Sequence, residues 1–187
     1  MMRILTERGY SSTTTADRGV VRDLKEKLCY TPLHSEEKMA SAASTYFVDK
    51  TFALPDEKLI PVRDERLRCP EAFFQPLLHG LETTGIHKIA SNSIIKSNVD
   101  IRKDLCANMI STEGNALFPG LADRLHIEMI TLFSRPMEIR ILASPDREHS
   151  VWIGGSVLAY LSSFQKMWIT RQEYYEGRPS IVHQKCF

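Results

Sequence analysis

Apolar residues recur at helical spacing in two stretches of the chain and alternate with charge in a third. Val20, Val21, Leu24 and Leu28 fall three or four positions apart, which predicts a helix with a buried stripe. Ahead of it, Ser11-Ser12-Thr13-Thr14-Thr15 is rich in side chains that cap helices, and Asp17 stands where a first turn favours an acid. Gly19 inside this helix costs about 1 kcal/mol relative to alanine. Lys25 and Glu26 project from other faces, where charge ordinarily marks solvated surface. A second stripe of Leu121, Leu125, Met129 and Leu132 predicts a helix over 119–132, with Pro119 suited to a first helical position because its missing donor is not needed there. A shorter helix is predicted over 92–96.

Residues 51–62 read as a hairpin: Thr51-Phe52-Ala53-Leu54, a turn at Pro55-Asp56-Glu57-Lys58, then Leu59-Ile60-Pro61-Val62. Pro61 removes a ladder donor, so its strand is expected at an edge. Residues 71–80 carry apolar bulk in a loop-like setting bracketed by proline and glycine. Met137-Glu138-Ile139-Arg140-Ile141-Leu142 alternates with a period of two, which marks a half-exposed strand, and Ser144-Pro145-Asp146 breaks it. Beyond it, 150–187 reads as a set of short amphipathic helices. There is no internal repeat and no low-complexity tract. The order of elements is an α/β arrangement.

At 187 residues the chain is long enough for a substantial core, and its 43% hydrophobic and 25% charged composition is average for a globular protein. A net charge of +1 gives no reason to expect nucleic acid or an anionic membrane as partner. No stretch approaches the roughly 18 apolar residues of a membrane span. The first residues meet charge too early for a signal peptide, so a cytosolic compartment is expected. Cys29, Cys69, Cys106 and Cys186 lack CxxC spacing and neighbouring histidine pairs, so neither a zinc site nor a disulfide framework is expected. His34, His79, His87, His126, His149 and His183 are scattered and read as surface or cap residues, with no metal site. Neither a GxSxG elbow nor a phosphate-binding GxxxxGK[ST] loop is present.

Several strings together carry a family resemblance. At the end of the chain stand Val151-Trp152-Ile153-Gly154-Gly155-Ser156, Phe164-Gln165-Lys166-Met167-Trp168-Ile169 and Val182-His183-Gln184-Lys185-Cys186-Phe187. Earlier come Thr6-Glu7-Arg8-Gly9-Tyr10-Ser11, Lys25-Glu26-Lys27-Leu28-Cys29-Tyr30, Gly85-Ile86-His87 and Val99-Asp100-Ile101-Arg102-Lys103-Asp104-Leu105. Phe118-Pro119-Gly120-Leu121-Ala122-Asp123-Arg124 follows the same pattern, with Phe118 where the family has tyrosine. The chain resembles roughly the C-terminal half of an actin. The resemblance implies a partial actin-like α/β fold, one lobe plus the C-terminal helices of the other. Residues 1–81 would be its small subdomain, 82–149 much of the large subdomain, and 150–187 the helices of the first lobe.

By the same resemblance, Lys25, Glu26, Gly114, Asn115, Leu117 and Phe118 form the base and ribose side of an ATP/ADP site. Backbone donors ahead of a helix suit an anion, and an aromatic face suits a purine. Two departures oppose binding. Glu113 replaces the first of two glycines, and Glu148 replaces a lysine beside the adenine, so nucleotide affinity is expected to be weak or absent. The family's phosphate loops and its magnesium and water-positioning residues have no counterpart here, and no catalytic residue is assigned. Ile153, Val157, Leu158, Leu161, Met167 and Phe187 align with a hydrophobic cleft that receives partner helices, though at helical spacing they read equally well as core. Gly154 and Gly155 imply close helix packing. Phe74, Leu77 and Leu78 match an apolar filament plug, with Leu78 and His79 weakening it. Val99, Asp100 and Ile101 match longitudinal filament contacts, as does Ser134-Arg135-Pro136, with Asn98 and Ser134 as departures.

Three functions follow as expectations. The first is an actin-like cytoskeletal protein acting through contacts with actin, actin-binding proteins or a cytosolic chaperone. The second is an ATP-binding subunit completed by another chain, which Glu113 and Glu148 disfavour. The third is a remnant without function.

Overall fold

The computed structural model describes residues 1–10, 14–35, 37–39, 50–54, 57, 59–133 and 137–185. Helix α1 (Met2–Glu7) leads to α2 (Thr15–Leu28), whose start is fixed by a reciprocal cap. Asp17 N–H donates to Thr14 Oγ1 at 3.1 Å, and Thr14 N–H donates to the Asp17 carboxylate at 2.9 Å. This satisfies two donors that an uncapped helix would leave open. Ser11, Ser12 and Thr13 lie outside the described residues.

The expected stripe on α2 is only partly buried. Leu24 is enclosed, but Val20, Val21 and Leu28 are half-buried. Leu24 and Leu28 pack against a two-stranded hairpin of β1 (Lys50–Ala53) and β2 (Leu59–Val62), paired antiparallel with Phe52 opposite Ile60. Two strands are too narrow to cover a whole helix face. Both are edges, so Pro61 opposite Thr51 breaks no interior ladder. Of the expected turn, Pro55, Asp56 and Lys58 lie outside the described residues.

Helix α3 (Glu65–Glu71) follows, then a 3-10 turn at Pro76–His79 closed by Gly80 in the left-handed region. The expected loop over 71–80 is therefore corrected: Glu71 ends a helix and Pro76 opens a turn. Helix α4 (Ile86–Lys96) begins well before the predicted 92–96, because Gly85 rather than a side-chain cap starts it. A Cβ at Gly85 would lie 2.2 Å from the Phe74 carbonyl oxygen, a position only glycine tolerates.

A 3-10 turn at Val99–Ile101, α5 (Arg102–Ala107), β3 (Met109–Ile110) and a 3-10 turn at Gly114–Leu117 lead to α6 (Leu121–Leu132). Pro119 precedes α6 instead of opening it. Its carbonyl accepts from Thr31 N–H at 2.8 Å, and Gly120 takes φ 80° beside it. Strand β4 (Ile141–Leu142) pairs parallel with β3, Met109 opposite Ile141. The predicted strand over 137–142 is shorter because β3 offers only two residues. Its alternation survives, with Ile139 buried and Glu138 and Arg140 exposed.

Helix α6 lies between two packed clusters. On one side Cys29, Phe74, Ala116, Phe118 and Leu121 come together; on the other, Ile94, Cys106, Met129 and Ile139. Leu125 packs against both. A buried ion network adds direction to this apolar packing. The guanidinium of Arg124 donates through Nε to Glu128 Oε1 at 2.8 Å and through Nη1 to the Pro32 carbonyl at 3.1 Å. Its Nη2 lies 3.5 Å from Glu71 Oε1, and the group sits 5.0 Å from the centre of the Phe74 ring. Glu71 is fully enclosed.

The remaining helices are α7 (Ser150–Tyr160), α8 (Ser162–Gln165), α9 (Arg171–Gly177), a 3-10 turn at Arg178–Ile181 and α10 (Val182–Lys185). Among described residues 150–185 only Ile181 is buried. Helix α7 is not amphipathic: Val151, Trp152, Ile153, Val157, Leu158 and Tyr160 all face outward. Gly154 and Gly155 have no neighbour within 4 Å of a Cβ position, so the expected close packing there is absent among the described residues. Thr170 and Glu173 form a second reciprocal cap at α9. Lys185 Nζ donates to Glu173 Oε1 at 2.6 Å, and that bond, with help from Thr170, holds the Glu173 carboxyl down to about 2.

Replacing Arg124 with alanine strands the Glu71 carboxylate in the core and is expected to lower stability by about 3–5 kcal/mol. The pair Arg124→Met with Glu71→Met removes both charges and is expected to recover most of that loss. Urea unfolding of the two variants measures the difference, and equal loss in both contradicts the role given to the ion pair.

Candidate functional site

The structure brings Lys25, Gly114, Asn115 and Phe118 together at the junction of α2 with the turn before α6. Lys25 Nζ donates to Asn115 Oδ1 at 3.1 Å and sits 5.7 Å from the centre of the Phe118 ring. One helix turn fixes the lysine, and the 3-10 turn at Gly114–Leu117 fixes its acceptor. Arg147 holds that turn from the other side, donating from Nε to the Ala116 carbonyl at 2.9 Å and accepting from Glu113 N–H at 3.0 Å through its own carbonyl.

Other predicted members are placed differently. Phe118 is 6% exposed, packed against Phe73 at 6.2 Å and covered by the Lys25 ammonium, so its ring belongs to the core instead of offering an open face. Leu117 is exposed. Glu26 turns aside to accept from Arg22 Nε at 2.9 Å. That hydrogen bond, more than the neighbouring field of Glu148, raises the Arg22 pKa above its ordinary value.

The two acidic departures converge on this turn. A Cβ at Gly114 would lie 3.9 Å from Glu148 Oε1. Glu113 takes φ 75° and ψ 168°, a backbone region that suits glycine and strains any residue with a Cβ. The resemblance implies a glycine at this position, and this backbone region is one that glycine adopts without strain. The substitution places a carboxylate at the turn and bends its backbone at an energetic cost.

A second feature went unseen in the sequence. A cleft of about 770 Å³ runs between 33–35 with Glu37, 74–78, 83–88 and one face of α6, with Arg124, Glu128 and His87 in its wall. His87 was expected at the surface or at a cap. It is buried instead, with its ring 5.8 Å from Phe74 and inclined 26° to it, and its Nδ1 meets no hydrogen-bond partner among the described residues. Burial lowers its pKa from the ordinary value near 6.5. The unfolded chain therefore binds a proton first, and stability from this group is lost as pH falls below about 6.5. The only sequence signal was indirect: Arg124 and Glu128 stand one turn apart on a helix whose neighbouring positions are apolar.

The filament-contact candidates divide. Phe74 is buried between His87 and Arg124 and takes no part in an exposed plug. Leu77 is 72% exposed, and Leu78 is exposed beside it. Val99 is 67% exposed, and Asp100 and Ile101 are exposed on the same turn, which Asn98 caps by accepting from Asp100 N–H. Ser134, Arg135 and Pro136 lie outside the described residues. Ile153, Val157, Leu158, Leu161 and Met167 are all exposed, so within this chain they are not core. Phe187 and Cys186 lie outside the described residues.

Among the described residues no group of three or more His, Cys, Asp or Glu is arranged to hold a metal ion, and no helix is long and apolar enough to cross a membrane. The mixed helix and sheet structure, with a glycine-containing turn facing a helix lysine, belongs to an α/β protein. The family model described as Actin matches residues 2–187, and the chain belongs to the actin family.

Replacing Glu113 with glycine releases the backbone strain, about 1–3 kcal/mol, against about 0.5–1 kcal/mol for glycine's greater freedom when unfolded. A net gain on the order of 1 kcal/mol is expected in urea unfolding. A loss of stability contradicts the reading of this turn.

Proposed function

We propose that this actin-family chain is a cytoplasmic cytoskeletal protein that works through protein contacts, with an adenine-nucleotide subsite too electronegative to retain ATP or ADP. Its partners are actin itself and proteins that bind actin, and a cytosolic chaperone is the partner when they are lacking. The observation that carries the reading is the outward-facing apolar surface of α7 and the segment after it. Trp152, 74% exposed, stands there with Ile153, Val157, Leu158 and Leu161. A contiguous apolar surface of this kind marks a contact site on a soluble protein. Leu77 and Leu78 on one turn, and Val99 and Ile101 on another, are further exposed apolar positions on the body.

The nucleotide part of the reading is supported by charge and by occupancy. Phe118 is already covered, Lys25 is already bonded to Asn115, and Glu113 and Glu148 flank the turn. A polyanion arriving there meets the added carboxylates of Glu113 and Glu148 beside the cations of Lys25 and Arg147, both already engaged with the turn. Like charges at short range oppose binding by an amount that screening reduces without reversing its sign.

Co-sedimentation tests the reading. The purified chain is expected to pellet with preformed actin filaments at low salt, and Val157→Asp with Leu158→Asp is expected to lower the pelleted fraction about fivefold or more. Mg-ATP at about 1 mM is expected to stabilise the chain by less than about 0.4 kcal/mol, the value for a Kd equal to that concentration. A wild-type pellet no larger than the filament-free control overturns the contact reading, and a large ATP shift overturns the nucleotide reading.

A further inference from the structure

The start of α4 meets the cleft without the groups that ordinarily close a helix N-terminus. Its cap residue is Gly85, which offers no side chain, and its first turn holds no acid. The first amides of a helix have no intrahelical acceptors and need others. Ile86 N–H finds the Phe73 carbonyl at 2.8 Å, and the Lys88 and Ile89 amides turn back to the Gly85 carbonyl at 3.0 and 3.1 Å. The His87 amide has no backbone acceptor among the described residues. Its side chain is left open at the same point. The ring is 6% exposed, and its Cε1–Nδ1 edge lies against the cap residue, where a Cβ on Gly85 would stand 2.8 Å from Nδ1. Nδ1 is enclosed and has no hydrogen-bond partner among the described residues. A buried polar atom in that state calls for a partner.

The charges around this point are unevenly spent. Lys88, in the first turn of α4, is exposed and makes no ion pair or hydrogen bond among the described residues. Glu128, whose field reaches His87, is neutralised by Arg124, with Nε at 2.8 Å and Nη2 at 2.7 Å from its Oε1. Glu37, from the segment after α2, is the other acid of the wall and keeps affinity for an anion modest. Thr83 and Thr84 line the cleft just ahead of the helix, and Pro76, Leu77 and Leu78 give it an apolar side.

We propose that this cleft binds a small organic phosphate, with the phosphate at the start of α4 and the organic part on Pro76, Leu77 and Leu78. The free His87 amide and the dipole of an eleven-residue helix favour an anion there. Threonine hydroxyls can donate to it, a neutral imidazole can carry its one proton on Nδ1, and Lys88 supplies the compensating charge. A volume of about 770 Å³ is that of a small-molecule site and is ample for a monoester bearing one ring. This place is separate from the turn that faces Lys25, since neither Lys25 nor Asn115 lines it.

Titration of the nitrogen-15-labelled full chain tests the assignment. Phenyl phosphate, inorganic phosphate and phenol are added at about 20 mM ionic strength, where surface charge is little screened, and backbone amide shifts are followed. Phenyl phosphate is expected to move the His87 and Lys88 amides saturably, with a Kd on the order of 1 mM for a probe of its size. Inorganic phosphate is expected to move the same amides with about threefold or more lower affinity, and phenol not to saturate, because each carries only part of the chemistry. Lys88→Ala is expected to weaken phenyl phosphate about threefold or more, and Lys88→Arg to keep its affinity within about twofold. Lys88 is exposed, so both variants retain the fold. Absence of a saturable shift up to about 10 mM phenyl phosphate overturns the proposal. So do shifts confined to Lys25 and Asn115, equal affinity for phenol or inorganic phosphate, or unchanged affinity in Lys88→Ala.

Discussion

The contact of Arg124 with Glu71, made over the face of Phe74, ties together parts of the chain that apolar packing alone would leave free to slide. Arg124 comes from α6, Glu71 from the end of α3, and the Pro32 carbonyl from the segment after α2. Leucine or methionine on α6 could fill the same space in several ways. A planar guanidinium with three fixed acceptors fills it in one. Its strength lies in register more than in stability, since removing charge from water offsets much of the attraction. The cleft beside it, the Gly85 start of α4 and the buried His87 all take their places from this joint.

Stability is distributed unevenly around that joint. The body has two apolar clusters bridged by Leu125, plus the smaller one beneath the hairpin. The helices from α7 onward have one reciprocal cap, at α9, and one short ion pair, yet little burial. Local hydrogen bonds hold an isolated helix of this length only marginally in water, and most helical stability comes from packing an apolar face. The same exposure that leaves α7 weakly held makes it the best surface for a partner. Contact function and marginal local stability share one cause.

The sequence made the family legible, along with the cap-rich segment ahead of α2, the hairpin and most of the α6 stripe. Each depends on short-range pattern: hydroxyl side chains before Asp17, two apolar runs about a proline-containing turn, and Leu121 with Leu125 and Met129, although Leu132, expected with them, is exposed. What stayed hidden depends on contacts between distant segments. Pro119 had the chemistry of a first helical residue, but the Thr31 amide claims its carbonyl and pushes the helix start to Leu121. Phe118 and Phe74 looked like ligand and filament residues by resemblance and are buried in one cluster. His87 carried no local signal of burial. The acidic turn is the intermediate case. Glu113 was visible as a lost glycine, whereas its positive φ required the fold.

The central claim is that the chain is a well-packed body around α6 carrying helices whose apolar surface is uncovered. Native-state hydrogen exchange resolved by residue tests it most directly. The account predicts that amides of the buried second half of α6, around Met129, exchange roughly a hundredfold or more slowly than those of α7 around Ile153, since slow exchange follows buried packing. Equal protection in the two helices would mean that α7 is covered as firmly as the core, and would contradict it.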